Sequence, residues 1–289
     1  MKNKIDEIHT FGTSHTKGGG FEWHHEESTD KVKLLKRFYG HLNIPKTQHD
    51  FSWPGQLSNI LNIKVQNHAK SGFGDERMYR KFYELSKSPT FYDDIKSKLF
   101  IFEFAQMGRK EYFSNTVNDY VIFNYWGKNS DGRYIHDYLK FNEDNLDFNI
   151  SNDYDYGHEK LNDVSFRKSY IDYFKKSYSP KIYQEKVSRD AIHFLCFLEN
   201  ISANYLILSE PFLDDTDIDI YVELKLYKKE IDFKKNRGFL NFIENNSISK
   251  ETNNGYRDGH AGFEGNKEIS KRISDKIINN YNIIEKKLL

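Results

Sequence analysis

Ile5-Asp6-Glu7-Ile8-His9-Thr10-Phe11 turns from alternating to apolar and then runs into Gly12-Thr13-Ser14-His15-Thr16. A short apolar segment halted by glycine predicts a buried first strand ending at Gly12. Working outward, Trp53-Pro54-Gly55-Gln56-Leu57-Ser58-Asn59-Ile60-Leu61 predicts a helix, with Pro54 suited to its first turn. Asn62-Ile63-Lys64-Val65-Gln66-Asn67 then supplies a second strand, which closes a βαβ unit. Helices are also expected over residues 31–38, 76–85, 189–200 and 267–287. Further strands are expected at Leu99-Phe100-Ile101-Phe102-Glu103-Phe104 and Tyr205-Leu206-Ile207-Leu208. Strands that alternate with helices and are nearly continuous in apolar residues indicate a parallel sheet covered on both faces.

Residues 112–187 break this rhythm and hold eleven of the twenty tyrosines. An unstructured loop of that length is improbable in a compact domain, so the expectation is an insertion with its own structure, such as a lid. The rest suits one large domain: 289 residues bury roughly 75% of their unfolded surface without disulfides or structural metal. Formal net charge is zero, which argues against a dedicated nucleic-acid binder. The single Cys196 lies in an apolar run and reads as a buried core thiol. No apolar leader is seen near Met1, and the apolar runs fall well short of the ~20 residues of a membrane span, so the expectation is a soluble cytoplasmic protein.

Ser14 follows a strand and precedes a glycine-rich turn, where sites of open parallel sheets gather. A serine becomes a nucleophile only when a base takes its proton. Asp258-Gly259-His260, ahead of the last predicted helix, offers His260 as base and Asp258 as orienting acid. Backbone N–H groups of Ser14 and Gly72 are candidate oxyanion donors. Each has a blander reading: Ser14 as a turn or N-cap serine, His260 as a core or surface histidine, Gly72 as a turn glycine. Asp75 and Arg77 share an early helix and either reach the pocket or form a solvated ion pair. Residues 12–20 do not meet the phosphate-loop pattern, because Lys17 precedes Gly18 and no Lys-Ser/Thr pair follows. The α/β-hydrolase elbow, G-x-S-x-G after several strands, is absent too. His24-His25-Glu26-Glu27 reads as a solvated loop rather than a metal site, since neighbouring side chains do not converge.

In these segments the chain resembles the SGNH/GDSL-type hydrolases. Gly12-Thr13-Ser14 occupies the place of that family's Gly-Asp-Ser block, and Val65-Gln66-Asn67 running to Gly72 is similar to its second block. Phe104-Ala105-Gln106-Met107-Gly108-Arg109 stands where the third block carries an Asn, and Asp258 with His260 stands in the last. The resemblance covers the first ~110 and final ~85 residues. It implies a flavodoxin-like three-layer α/β/α sandwich with a mainly parallel sheet, interrupted by the tyrosine-rich insertion. It also implies a Ser14–His260–Asp258 esterase without metal or cofactor. Its oxyanion donors would be Ser14, Gly72 and Gln106, and Arg109, with Asp75 and Arg77, would face the substrate. The implied substrate is a small-molecule or glycan ester; tyrosines of the insertion either stack on sugar rings or pack in a core. Three departures stand out: Thr13 for Asp, Gln106 for Asn, and an Asp-His spacing of two rather than three. They leave open a decayed binding protein on the same scaffold, and acyl transfer in place of hydrolysis.

Overall fold

The computed structural model describes residues 3–19, 48–71, 73–105, 109–114, 118–128, 134–135, 146–152, 172, 176, 179–209, 211, 213, 215–233, 235, 238–252 and 259–283. The central sheet consists of β2 (Glu7–Phe11), β3 (Lys64–Asn67), β4 (Lys98–Glu103) and β9 (Asn204–Ser209). Their order is β3-β2-β4-β9, and every pairing is parallel. The chain steps from β2 to β3 on one side, then crosses back over β2 to β4. This is the doubly wound arrangement, and its crevice opens at the carboxyl ends of β2 and β4. A short bridge from Ile207 to Glu230 extends the sheet beyond β9.

Period-two alternation divides the sheet into two apolar faces. One face carries Ile8, Val65, Leu99, Ile101, Leu206 and Leu208. Against it lie Trp53, Leu57 and Leu61 of the helix Trp53–Leu61, and Ile269, Ile273 and Ile277 of the helix Phe263–Asn280. The other face carries Phe11, Phe100, Phe102, Tyr205 and Ile207, covered by the helices Asp75–Ser86 and Pro180–Asn200. Helices on both sheet faces make the three-layer α/β/α sandwich that the strand pattern predicted.

The second face is mainly aromatic. Phe82 stands edge-on to Phe11, Phe91, Phe100, Phe102 and Phe194, with centroids 5.0–6.1 Å apart. Such T-shaped contacts set the positive ring edge against a negative ring face. The first face is tied by polar contacts between its helices. Ser52 caps the Trp53–Leu61 helix, accepting from Gly55 N, while Asn266 Oδ1 accepts from Trp53 N at 3.1 Å and Ser270 Oγ donates to Trp53 O at 2.9 Å. Gly55 is obligatory, because a β-carbon there would lie 2.0 Å from His49 O.

Several expectations need correction. The last helix begins at Phe263 and ends at Asn280, earlier at both ends than the sequence suggested. Asn282–Ile283 (β10) instead pairs in parallel with Lys4–Ile5 (β1), and backbone bonding to the first strand stops the helix. The helix expected over 189–200 starts at Pro180, capped by Ser179 Oγ, which accepts from Ile182 N. Cys196 is only half-buried, at the rim of the aromatic face, where desolvation raises its thiol pKa. Within and just before the tyrosine-rich stretch, Arg109–Ser114 (β5), Asp119–Lys128 (β6), Tyr134–Ile135 (β7) and Leu146–Asn152 (β8) form a separate antiparallel sheet. The helix expected over 31–38 lies outside the described residues. Among the described residues, no helix is long and apolar enough to cross a membrane.

Phe82→Ala is expected to cost about 3–5 kcal/mol, as truncation of a well-packed core aromatic does. Chemical denaturation measures this, and a change below 1 kcal/mol would show that the ring cluster is loosely packed.

Candidate active site

The turn that bears Ser14 is built where β2 leaves the sheet. Residues Ser14–Lys17 form a single helical turn, closed by Gly18 in the left-handed region at φ 89°. The N–H groups of Gly18 and Gly19 both return to Ser14 O, at 3.0 and 2.6 Å. Gly18 needs its conformational freedom, and a side chain there would also strike Ser52 Cβ at 2.7 Å.

Gly19 is the meeting point of the two ends of the chain. The position a β-carbon would take on Gly19 lies 2.7 Å from His260 Nε2, 2.6 Å from His260 Cδ2 and 3.0 Å from Ser14 Cβ. The hydroxyl-bearing carbon and the imidazole edge therefore flank one bare Cα. His15 lies on the same turn, with its ring 5.4 Å from His260 and edge-on to Phe239. The backbone around His260 is fastened on several sides. Ile248 N donates to His260 O at 2.8 Å, Asn266 Nδ2 donates to Ala261 O and Gly262 O, and Glu251 Oε1 accepts from Gly265 N.

Beneath Ser14 lies a residue that the sequence did not single out. Glu103, at the carboxyl end of β4, is 3% exposed, and its carboxylate accepts from both N–H and hydroxyl of Thr13 and of Thr16. The N–H distances are 3.1 and 2.9 Å; both hydroxyl contacts are very short. Thr13 thus spends its hydroxyl on Glu103 rather than capping its own turn, and the carboxylate receives the N–H that an N-cap side chain would take. Gly12 makes room, because a β-carbon on it would lie 2.6 Å from Glu103 Cβ and Oε2. The register of β4 against β9 shifts between Phe102 and Glu103, with the extra residue, Leu208, on β9. Desolvation raises the Glu103 pKa, against the lowering effect of the threonine hydrogen bonds. Asn67 braces the turn from β3, with Nδ2 donating to Thr16 O at 2.9 Å and Oδ1 accepting from Ala69 N at 3.1 Å.

The other anticipated residues occupy varied places. Asp75 Oδ1 accepts from Ala105 N at 2.6 Å, joining the helix Asp75–Ser86 to the segment after β4. Arg77 is buried, donates to His68 O at 2.6 Å and lies over the Phe73 ring. Both side chains thereby brace the loops around the crevice. Arg109 begins β5, opposite Asn124. Asp258, Gly72 and Gln106 lie outside the described residues, as does the side chain of Arg109.

A second polar chain runs along the aromatic face of the sheet. His9 Nδ1 and His68 Nε2 are 3.0 Å apart in nearly parallel rings, and His9 Nε2 approaches Glu7 Oε2 at 3.3 Å without completing a hydrogen bond. Burial lowers both histidine pKa values, that of His68 to about 4, and nearby cations add to this. For Glu7 burial acts the other way, but hydrogen bonds from Lys64 and Gln66 outweigh it and hold the carboxyl at about 2.

No protein-family model matches the chain, and no curated protein matches it at a significant level. Among solved structures it is similar to an acetyl xylan esterase, Est2A, from the rumen bacterium Butyrivibrio proteoclasticus, with a TM-score of 0.38 and 11% identity. The match covers 95% of this chain and 64% of the esterase, so the chain spans less than two thirds of that protein's length. A likeness this distant carries no argument about function.

Two predictions follow from this geometry. Gly19→Ala is expected to destabilise by about 1–3 kcal/mol, as overpacking does, and to shift the His260 ring resonances. Unshifted resonances would contradict the close approach. Because His9 and His68 resist protonation when folded, the unfolded chain takes up protons that the folded one refuses. Stability is fully present above the unfolded value near pH 6.5 and declines as pH falls towards about 4. Urea midpoints between pH 7 and 4.5 measure this decline, and His68→Phe is expected to flatten it. A flat wild-type profile would contradict the account.

Proposed function

We propose that the chain is a serine esterase of the SGNH type. Ser14 Oγ attacks an ester carbonyl while His260 takes its proton, and a tetrahedral oxyanion forms. Collapse expels the alcohol, which receives the proton from His260, and leaves an acyl group on Ser14. Water, deprotonated in turn by His260, adds to the acyl carbonyl. Collapse breaks the bond to Ser14 Oγ, which takes the proton back from His260, and releases the carboxylic acid. Asp258 orients the imidazole and stabilises its cation. The N–H groups of Ser14 and Gly72, with the Gln106 amide, hold the oxyanion; each such donor is typically worth ~10²–10³-fold in rate.

The observation that carries this reading is the convergence of Ser14 and His260 on the bare Cα of Gly19. The location supports it as well, since the carboxyl ends of β2 and β4 border the crevice where doubly wound sheets bind ligands. Asp75 and Arg77 serve the site by bracing its loops, and Arg109 meets the polar part of the substrate. An acyl group on a carbohydrate suits the family resemblance and the tyrosine-rich insertion.

Release of p-nitrophenol from p-nitrophenyl acetate tests the proposal. Ser14→Ala is expected to lower kcat by at least ~10³-fold, the scale on which nucleophile removal acts. Wild-type activity that survives this substitution would remove Ser14 from the mechanism.

A further inference from the structure

We infer that Glu103 is the positioning residue of the nucleophile turn, setting the placement of Ser14 from the neighbouring strand. The inference rests on the proposed serine mechanism for its catalytic consequence, but its physical basis is independent of that mechanism. Ser14 sits between the two residues that the carboxylate grips. Glu103 Oε2 accepts from Thr13 N, Thr16 N and Thr16 Oγ1, and Oε1 accepts from Thr13 Oγ1. All three residues are nearly or fully shielded, at 3% exposure for Thr13, 0% for Thr16 and 3% for Glu103. A buried carboxylate is costly unless its lone pairs are filled, and four donors from one turn fill them.

The grip is also selective. It takes the N–H groups of Thr13 and Thr16 and leaves that of Ser14 out, so the donor needed for an oxyanion is not drawn into the cap. A single turn of four residues has little helical stability of its own, because nucleation fixes several dihedrals for one hydrogen bond. Its shape must come from outside. Glu103 supplies it from β4, Asn67 Nδ2 from β3, and Gly12 allows the close approach. Displacement of a reacting group by ~1 Å costs ~10²-fold in rate, which sets the scale of the effect.

The donor-acceptor polarity generates a specific test. Glu103→Gln keeps the shape: its amide oxygen accepts from both N–H groups, and its NH₂ donates to a Thr13 hydroxyl turned to accept. Its kcat is expected to stay within about fivefold of wild type, whereas Glu103→Ala lowers kcat by ~10²-fold with KM within about twofold. Thr13→Asp sets a second carboxylate against the first, where both cannot ionise freely, and is expected to lose kcat to a similar degree. The double variant Thr13→Asp/Glu103→Gln restores a donor between them and is expected to recover at least about tenfold of that loss.

Hydrogen–deuterium exchange of residues 13–19 gives a readout that needs no turnover. Glu103→Ala or Thr13→Asp is expected to speed exchange there at least about tenfold while β4 and β9 keep wild-type protection. If Glu103→Ala fails to fold, Thr13→Asp and its rescue decide the matter. Accelerated exchange in a wild-type framework that turns over no ester would sink the serine mechanism and leave the positioning role standing. Exchange unchanged by both substitutions, or a double variant no better than Thr13→Asp alone, would overturn the inference.

Discussion

A carboxylate sealed beneath the first turn of the chain is the constraint on which the site depends. Glu103 is buried beneath the turn after β2, and a buried carboxylate requires donors. Thr13 and Thr16 provide them, Gly12 yields the space, and the turn acquires a definite shape without helix length. That shape brings the N–H groups of Gly18 and Gly19 back to Ser14 O. With Gly19 reduced to a bare Cα, the imidazole of His260 can come in from a segment near the other end of the chain. Local structure, packing and candidate chemistry are thus one chain of causes.

The sheet explains why such a site can be held so tightly. Aliphatic packing on one face anchors the helix Phe263–Asn280, whose N-terminal approach carries His260. Interlocked aromatic rings on the other face hold β2 and β4 side by side, and these strands present Ser14 and Glu103. Packed interiors of this kind deform little, so they fix the relative positions of strand ends more firmly than loops could. The loops after β3 and β4 are then braced by Arg77 on His68 O and by Asp75 on Ala105 N.

Much of the scaffold was legible in the sequence, because parallel strands buried on both faces read as short apolar runs between helical patterns. Leu99 to Phe102 and Tyr205 to Leu208 both behaved in this way. The reading that pairs Ser14 with His260 came only from motif order, and the approach of both residues to Gly19 was not legible. A glycine in a run of three gives no sign that an imidazole from residue 260 will rest on it. Glu103 was missed because one acid at the end of an apolar strand resembles a strand terminus, while its threonine partners lie almost ninety positions away. The available signal was the lone charge in Leu99-Phe100-Ile101-Phe102-Glu103-Phe104, which burial makes expensive. The antiparallel strands β5, β7 and β8 escaped notice because they lack the continuous apolar signature of the central sheet, and the apolar Val121-Ile122-Phe123 of β6 was passed over in its polar, tyrosine-rich surroundings.

The central claim is that a serine hydroxyl and a distant imidazole share one pocket and act together. Treatment with a fluorophosphonate, followed by peptide mass analysis and timed labelling, tests it most directly. The account predicts one adduct, on the peptide containing Ser14, formed at least ~10²-fold more slowly in His260→Ala, the scale of general-base assistance. No adduct, an adduct on another residue, or a labelling rate indifferent to His260 would contradict it.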